Sequence, residues 1–133
     1  MAISFLVALA IICGTTFVLL RGAKVARNSK NTLFAVVLAV SAAAALGIGV
    51  RFGVFGEFQI GERLRVQGAP IPLVVFVLEG ERWTDFVKPL PVGYACMAAN
   101  ALFPVGLVVL TLTFGFKFFL KQRLSQPPSQ SRW

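Results

Sequence analysis

The sequence predicts an all-α integral membrane protein with three transmembrane helices and a small extracytoplasmic antiparallel β meander between the second and the third. Three observations carry this expectation. Of 133 residues, 57% are apolar and only 14% are charged, with a mean hydropathy of +0.81; soluble domains run at about 45–50% apolar and about 25% charged. Three uncharged stretches reach the roughly 20 residues that a hydrocarbon core of about 30 Å asks of a helix. The long segment between the second and third stretches carries strand-like alternation and turn residues instead of a further apolar helix. This composition argues against a soluble multidomain enzyme, a disordered tail and a disulfide-stapled mini-protein, and the absence of histidine argues against a histidine-ligated metal. No cofactor is expected.

The first helix is placed at residues 1–20. It contains no charge, and the first basic residue is Arg21, so it lacks the basic n-region of a cleavable signal peptide. Ile12 before Cys13 also speaks against a lipoprotein site, which wants a small side chain there. A basic cytoplasmic loop at 21–31 follows, then the second helix at 32–50, an outer segment at 51–93, the third helix at 94–120 and a Ser, Gln and Pro-rich tail at 121–133, expected to be disordered.

Orientation follows from charge, because cytoplasmic loops accumulate Lys and Arg. Arg21, Lys24, Arg27 and Lys30 lie between the first two spans, and Lys117, Lys121, Arg123 and Arg132 follow the third, with no acid in either set. All five carboxylate side chains fall in 51–93, where five basic residues balance them. The N-terminus is therefore expected outside and the C-terminus in the cytoplasm, in a bacterial inner (plasma) membrane. The net charge of +8 reads as an asymmetry across the bilayer. Arg21, Lys24, Arg27, Lys30, Lys117, Lys121 and Arg123 are expected to contact anionic headgroups, each attracted by roughly 1 kcal/mol near the surface. Nucleic acid is not an expected partner, since no aromatic residues interleave with the charges between Arg21 and Lys30.

In the outer segment, Leu64 and Val66 alternate with Arg63, Arg65 and Gln67, the period-two pattern of a half-buried strand. Gly68-Ala69-Pro70-Ile71-Pro72 punctuates it. An apolar run from Leu73 to Leu78, a turn at Glu79-Gly80-Glu81-Arg82 and a further strand from Trp83 to Val87 read as a hairpin, which Pro89 and Pro91 end. Phe52, Phe55 and Phe58 read as an interfacial aromatic stretch. A meander of two or three strands has too little core to stand alone, so it must lean on the bilayer, on the helix ends or on a partner.

Few residues suggest chemistry. Glu79, Glu81 and Asp85, with Arg82 and Lys88, form the one dense polar cluster; acid pairs can perform acid–base catalysis, but a solvated hairpin turn is dressed the same way, and Glu79, Glu81, Arg82, Trp83 and Asp85 are expected to contact a partner at the outer surface. Cys13 and Cys96 lie at different depths, farther apart than the roughly 7 Å that bridging allows between Cα atoms, and are expected to be reduced. In the third helix Pro104 removes the N–H that would bond the carbonyl of Asn100, leaving a polar notch that hydrocarbon cannot satisfy. Another helix, the Asn100 backbone, or water or a ligand must fill it. Cys96, Thr111 and Gly115 share roughly the same side, which is expected to face inward. Ser41, Ala45 and Gly49, with Ala43 and Gly47 beside them, form a small-xxx-small pattern that makes the second helix the expected central one or the one that docks on another subunit. No ionisable group lies within the spans, as pumps and ion carriers generally require.

These readings point to a non-enzymatic accessory or scaffold subunit that associates with other membrane protein subunits or with itself. An oligomeric passive pore, with Asn100 as a polar contact, and a surface enzyme acting on lipid or envelope substrate through Glu79, Glu81 or Asp85 are the alternatives.

Overall fold

The computed structural model describes residues 2–29 and 31–125. Helix α1 (Ala2–Ser29) is followed by α2 (Thr32–Ile48), which continues as a π-helical segment, Gly49–Val54; four strands come next, β1 (Glu57–Gly61), β2 (Leu64–Gln67), β3 (Val74–Glu79) and β4 (Arg82–Val87), and α3 (Leu90–Ser125) closes the order. All three helices are long and apolar enough to cross a membrane.

Residues 21–29, read from sequence as loop, are helical. At 28 residues and 1.5 Å per residue, α1 is about 42 Å long, more than a hydrocarbon core of about 30 Å needs, so the last turns can carry Arg21, Lys24 and Arg27 while remaining helical. Asn31 starts the next helix at once: its side-chain oxygen accepts from the Phe34 N–H at 3.2 Å, an N-cap for one of the orphan donors of α2. At the far end α3 begins at Leu90, earlier than expected, with Pro91 in the first turn, where its missing N–H costs nothing.

α3 is the central helix. It packs along both α1 and α2, whereas those two touch each other least, which corrects the expectation that α2 would be central. The small residues of α2 do pack, but the closest helix pair is α1 with α3. α1 buries only Ala8, Thr15 and Gly22, small residues at seven-residue steps. On α3, Ala99 and Thr113 are buried and Gly106 lies between them at the same step. Ala8 shares a cluster with Cys96 and Ala99, a Cβ at Gly106 would lie 2.8 Å from Thr15 Oγ1, and Gly22 faces Val109 and Thr113. Numbers rise together on both helices, so α1 and α3 run parallel. A seven-residue repeat is the spacing that keeps one seam facing a supercoiled partner, and small side chains on it let the backbones approach.

The sheet has four strands in the order β1-β2-β3-β4, all antiparallel. The unexpected strand is β1, where Glu57-Phe58-Gln59-Ile60-Gly61 alternates polar and apolar side chains within what was read as an aromatic belt. Glu79 pairs with Arg82 across a two-residue turn; Gly80 supplies the positive φ of +67° that such hairpin turns require. Apolar burial falls into two clusters strung along α3. One joins Ala8, Val54, Ile71, Leu73, Cys96 and Ala99 near the sheet. The other joins Phe34, Leu38, Ala45, Val105 and Val109 farther down, where the Phe34 and Phe116 rings stack at 3.9 Å.

Candidate functional site

The polar notch anticipated at Asn100 is the junction that ties the sheet to the helices. Asn100 is fully buried. Its Nδ2 donates to the Gly53 carbonyl and to the Ile71 carbonyl, both at 2.8 Å, and its Oδ1 accepts from the Ile71 N–H at 3.0 Å. One side chain thus joins α3, the π-helical end of α2 and the β2–β3 loop. It pairs with both backbone groups of Ile71 as a neighbouring strand would. Of the three ways of filling the notch, the side chain does not turn back on its own backbone: another helix supplies Gly53, and the loop supplies the rest.

The same junction answers an obligation of α2. The last carbonyls of a helix have no partner within it, and here the loop and its flank provide partners for two of them and for one carbonyl just beyond the helix. Ala69 N–H donates to Gly53 O at 3.1 Å, Gly68 N–H to Gly56 O at 2.9 Å, and Gln67 Nε2 to Val54 O at 3.3 Å. Gly68 adopts φ +93° to turn the chain inward, and Ile71 and Leu73, 5% and 8% exposed, enter the apolar cluster beneath. The sheet therefore leans on its own helix ends.

Gly49 and Gly53 make the contact between α2 and α3 possible. A Cβ on Gly53 would lie 2.7 Å from the Asn100 carbonyl oxygen, and one on Gly49 would collide with the Ala101 carbonyl. The carbonyl released by Pro104 is thus covered by a residue without a side chain. Of the expected packing residues, Ala45 and Gly49 are buried, while Ser41 and Pro104 are half-buried. Gly53 was missed, although it continues the same four-residue steps past the expected helix end. Thr111 and Gly115 face outward, correcting their inward assignment; Thr111 Oγ1 bonds the Leu107 carbonyl of its own helix at 2.8 Å. Thr113 is buried instead, with no partner for its hydroxyl. The inward stripe of α3 follows the seven-residue seam and the α2 contact, and so drifts away from the line through Asn100 and Pro104.

Glu79, Glu81, Arg82, Trp83 and Asp85 are all exposed. They do not converge: strand alternation places Glu79 and Arg82 on one face and Trp83 and Asp85 on the other. The Arg65 guanidinium lies 4.6 Å from the centre of the Trp83 ring, a cross-sheet cation–π contact. The row Phe58–Val66–Val75–Phe86 crosses all four strands on one face, and its outer members are 41% and 56% exposed. Below the sheet, Gln67, Val74 and Val87 on the opposite face border a recess of about 290 Å³ with Tyr94 and Met97.

At the other end of the molecule, Arg21, Lys24 and Lys117 border one groove between α1 and α3. Arg27 lies beside a different one, between α1 and α2, and Lys121 is exposed. Lys30, and the side chain of Arg123, lie outside the described residues. Cys13 and Cys96 are both free. No protein-family model, curated protein or solved structure matches this chain.

Proposed function

We propose that the chain is a non-enzymatic accessory or scaffold subunit of a larger membrane complex, set in a bacterial inner (plasma) membrane with its N-terminus outside and its C-terminus in the cytoplasm. The observation that supports this reading is the apolar row Phe58–Val66–Val75–Phe86, exposed at both ends, on a sheet tied to its own helices through the β2–β3 loop, Gln67 and the opposite face at Val74. An antiparallel sheet with one face packed and one face wet shows polar residues on the wet face; here the row ends in two exposed phenylalanines. Exposed apolar surface rimmed by charge is the mark of an interaction site, and Glu79 and Arg82 supply charge on the same face at its hairpin end. Another membrane protein subunit is the partner that suits a surface fixed at the membrane boundary. The orientation rests on charge: every carboxylate side chain lies on the sheet side and the uncompensated Lys and Arg lie at the opposite end.

The test is extraction of the tagged full chain in mild detergent, with particle mass and co-purifying chains recorded for the native sequence and for Phe58→Ser with Phe86→Ser. A complex of reproducible composition that dissociates in the double variant is the expected result. A monomer in both cases would overturn the reading, and a homo-oligomer indifferent to the double variant would return the account to the pore.

A further inference from the structure

We propose that the basic end of the α1–α3 pair is a site for one acidic phospholipid, its phosphodiester headgroup held by Arg21, Lys24 and Lys117 and one acyl chain laid in the furrow between the two helices. The inference rests on the membrane-spanning reading and is independent of which way round the protein sits. The α1–α3 seam brings these cations together. Because Gly22 and Gly106 let α1 and α3 lie close together, side chains far apart in sequence meet at one level, and Arg21, Lys24 and Lys117 border a groove of about 420 Å³ with Phe116 and Leu120. The whole chain offers no Asp or Glu outside residues 57–85. Three cations therefore share one groove with no carboxylate side chain to neutralise them, and an anion is the complement they lack.

A second cavity says which anion. Arg21 and Lys117 also border an apolar hollow of about 130 Å³ with Phe17, Val18, Leu110 and Phe114. Val18 and Leu110 in turn border the next hollow, of about 180 Å³, which runs on past Gly14 and Gly106 to Ile11 and Phe103. The furrow is thus charged at one end only. From Arg21 to Ile11 it follows α1 for ten residues, about 15 Å at 1.5 Å per residue, which is half of a hydrocarbon core of about 30 Å and so the depth of one leaflet. The Arg21 guanidinium lies 4.8 Å from the centre of the Phe17 ring, which holds the charge over the furrow mouth. Free phosphate would use the cations and leave the furrow idle; an acidic phospholipid uses both. Basic pockets between transmembrane helices take such headgroups.

The test is native mass spectrometry of the full chain in neutral detergent, titrated with phosphatidylglycerol and, separately, with phosphatidylcholine of the same acyl length. One phosphatidylglycerol per chain is expected, bound at least tenfold more tightly than phosphatidylcholine and not displaced by millimolar inorganic phosphate. Arg21→Gln with Lys117→Gln should weaken it at least tenfold, and Arg27→Gln with Lys121→Gln, which changes charge equally outside the groove, less than twofold. Gly14→Phe, at a position where an added Cβ meets nothing within 4 Å, should fill the furrow and weaken binding with every cation in place. Equal loss in the two charge variants would mean diffuse attraction and overturn the site, as would equal affinity for the two lipids; full binding in Gly14→Phe, or displacement by phosphate, would overturn the acyl chain's part. Circular dichroism of each variant checks that the helices persist. Release of the protein from membranes by alkaline carbonate would instead mark failure of the membrane-spanning reading itself.

Discussion

Asn100 shows how a single amide can be stable where hydrocarbon offers it nothing. Its two donor bonds and one acceptor bond all go to backbone groups of the same chain, so its burial costs little and its removal costs much. Asn100→Leu strands the Ile71 N–H and carbonyl without partners, at about 1–3 kcal/mol for each buried group, and should lower the melting temperature in detergent by several degrees while loosening the β2–β3 loop to hydrogen exchange. Thr113 is the converse case. Its hydroxyl is buried with no partner, so Thr113→Val, close in shape, should be neutral or stabilising by about 1 kcal/mol, read by the same melting assay. The four-residue spacing of Asn100 and Pro104 made the notch legible from sequence. Ile71 was not, because it takes part through its backbone, which any residue carries, from 29 positions away.

Among the elements, the decisive contact is the parallel packing of α1 on α3. Gly106→Leu would drive a side chain into Thr15 and should destabilise by about 1–3 kcal/mol, the usual cost of overpacking; Gly115→Leu, with nothing within 4 Å of its Cβ, should stay within about 0.5 kcal/mol. Unfolding of the two variants in mixed micelles checks the contrast. Hydropathy found all three helices, because a span in lipid is apolar throughout, and three of the four strands were legible, β2 from its alternation and β3 and β4 from a short apolar run and the turn that follows it. The helix order in the bundle was harder. Ala8, Thr15 and Gly22 stand among other small residues of α1, such as Ala10, Gly14 and Ala23, and nothing in that mixture marks the seven-residue set until α3 is beside it. β1 was hidden for a different reason: its phenylalanine suits a membrane interface as well as it suits a strand.

For the molecule as a whole, the charges are sorted to its two ends, with the sheet and all acidic side chains at one and the cationic groove at the other. A reporter fused to the C-terminus should be active only on the cytoplasmic side, and one inserted at Gly80, an open turn, only on the outer side; the reverse pattern would invert the orientation. As a docking subunit, the protein should present one particular face of the anchored sheet to its partner. Photocrosslinking in the intact membrane checks this from single positions on the two faces, Phe58 and Phe86 against Gln59 and Asp85, whose register partners place them on opposite sides. An adduct of one defined mass from Phe58 and Phe86, with none from Gln59 and Asp85, is the expected result. Adducts from both faces alike, or from neither, would contradict it.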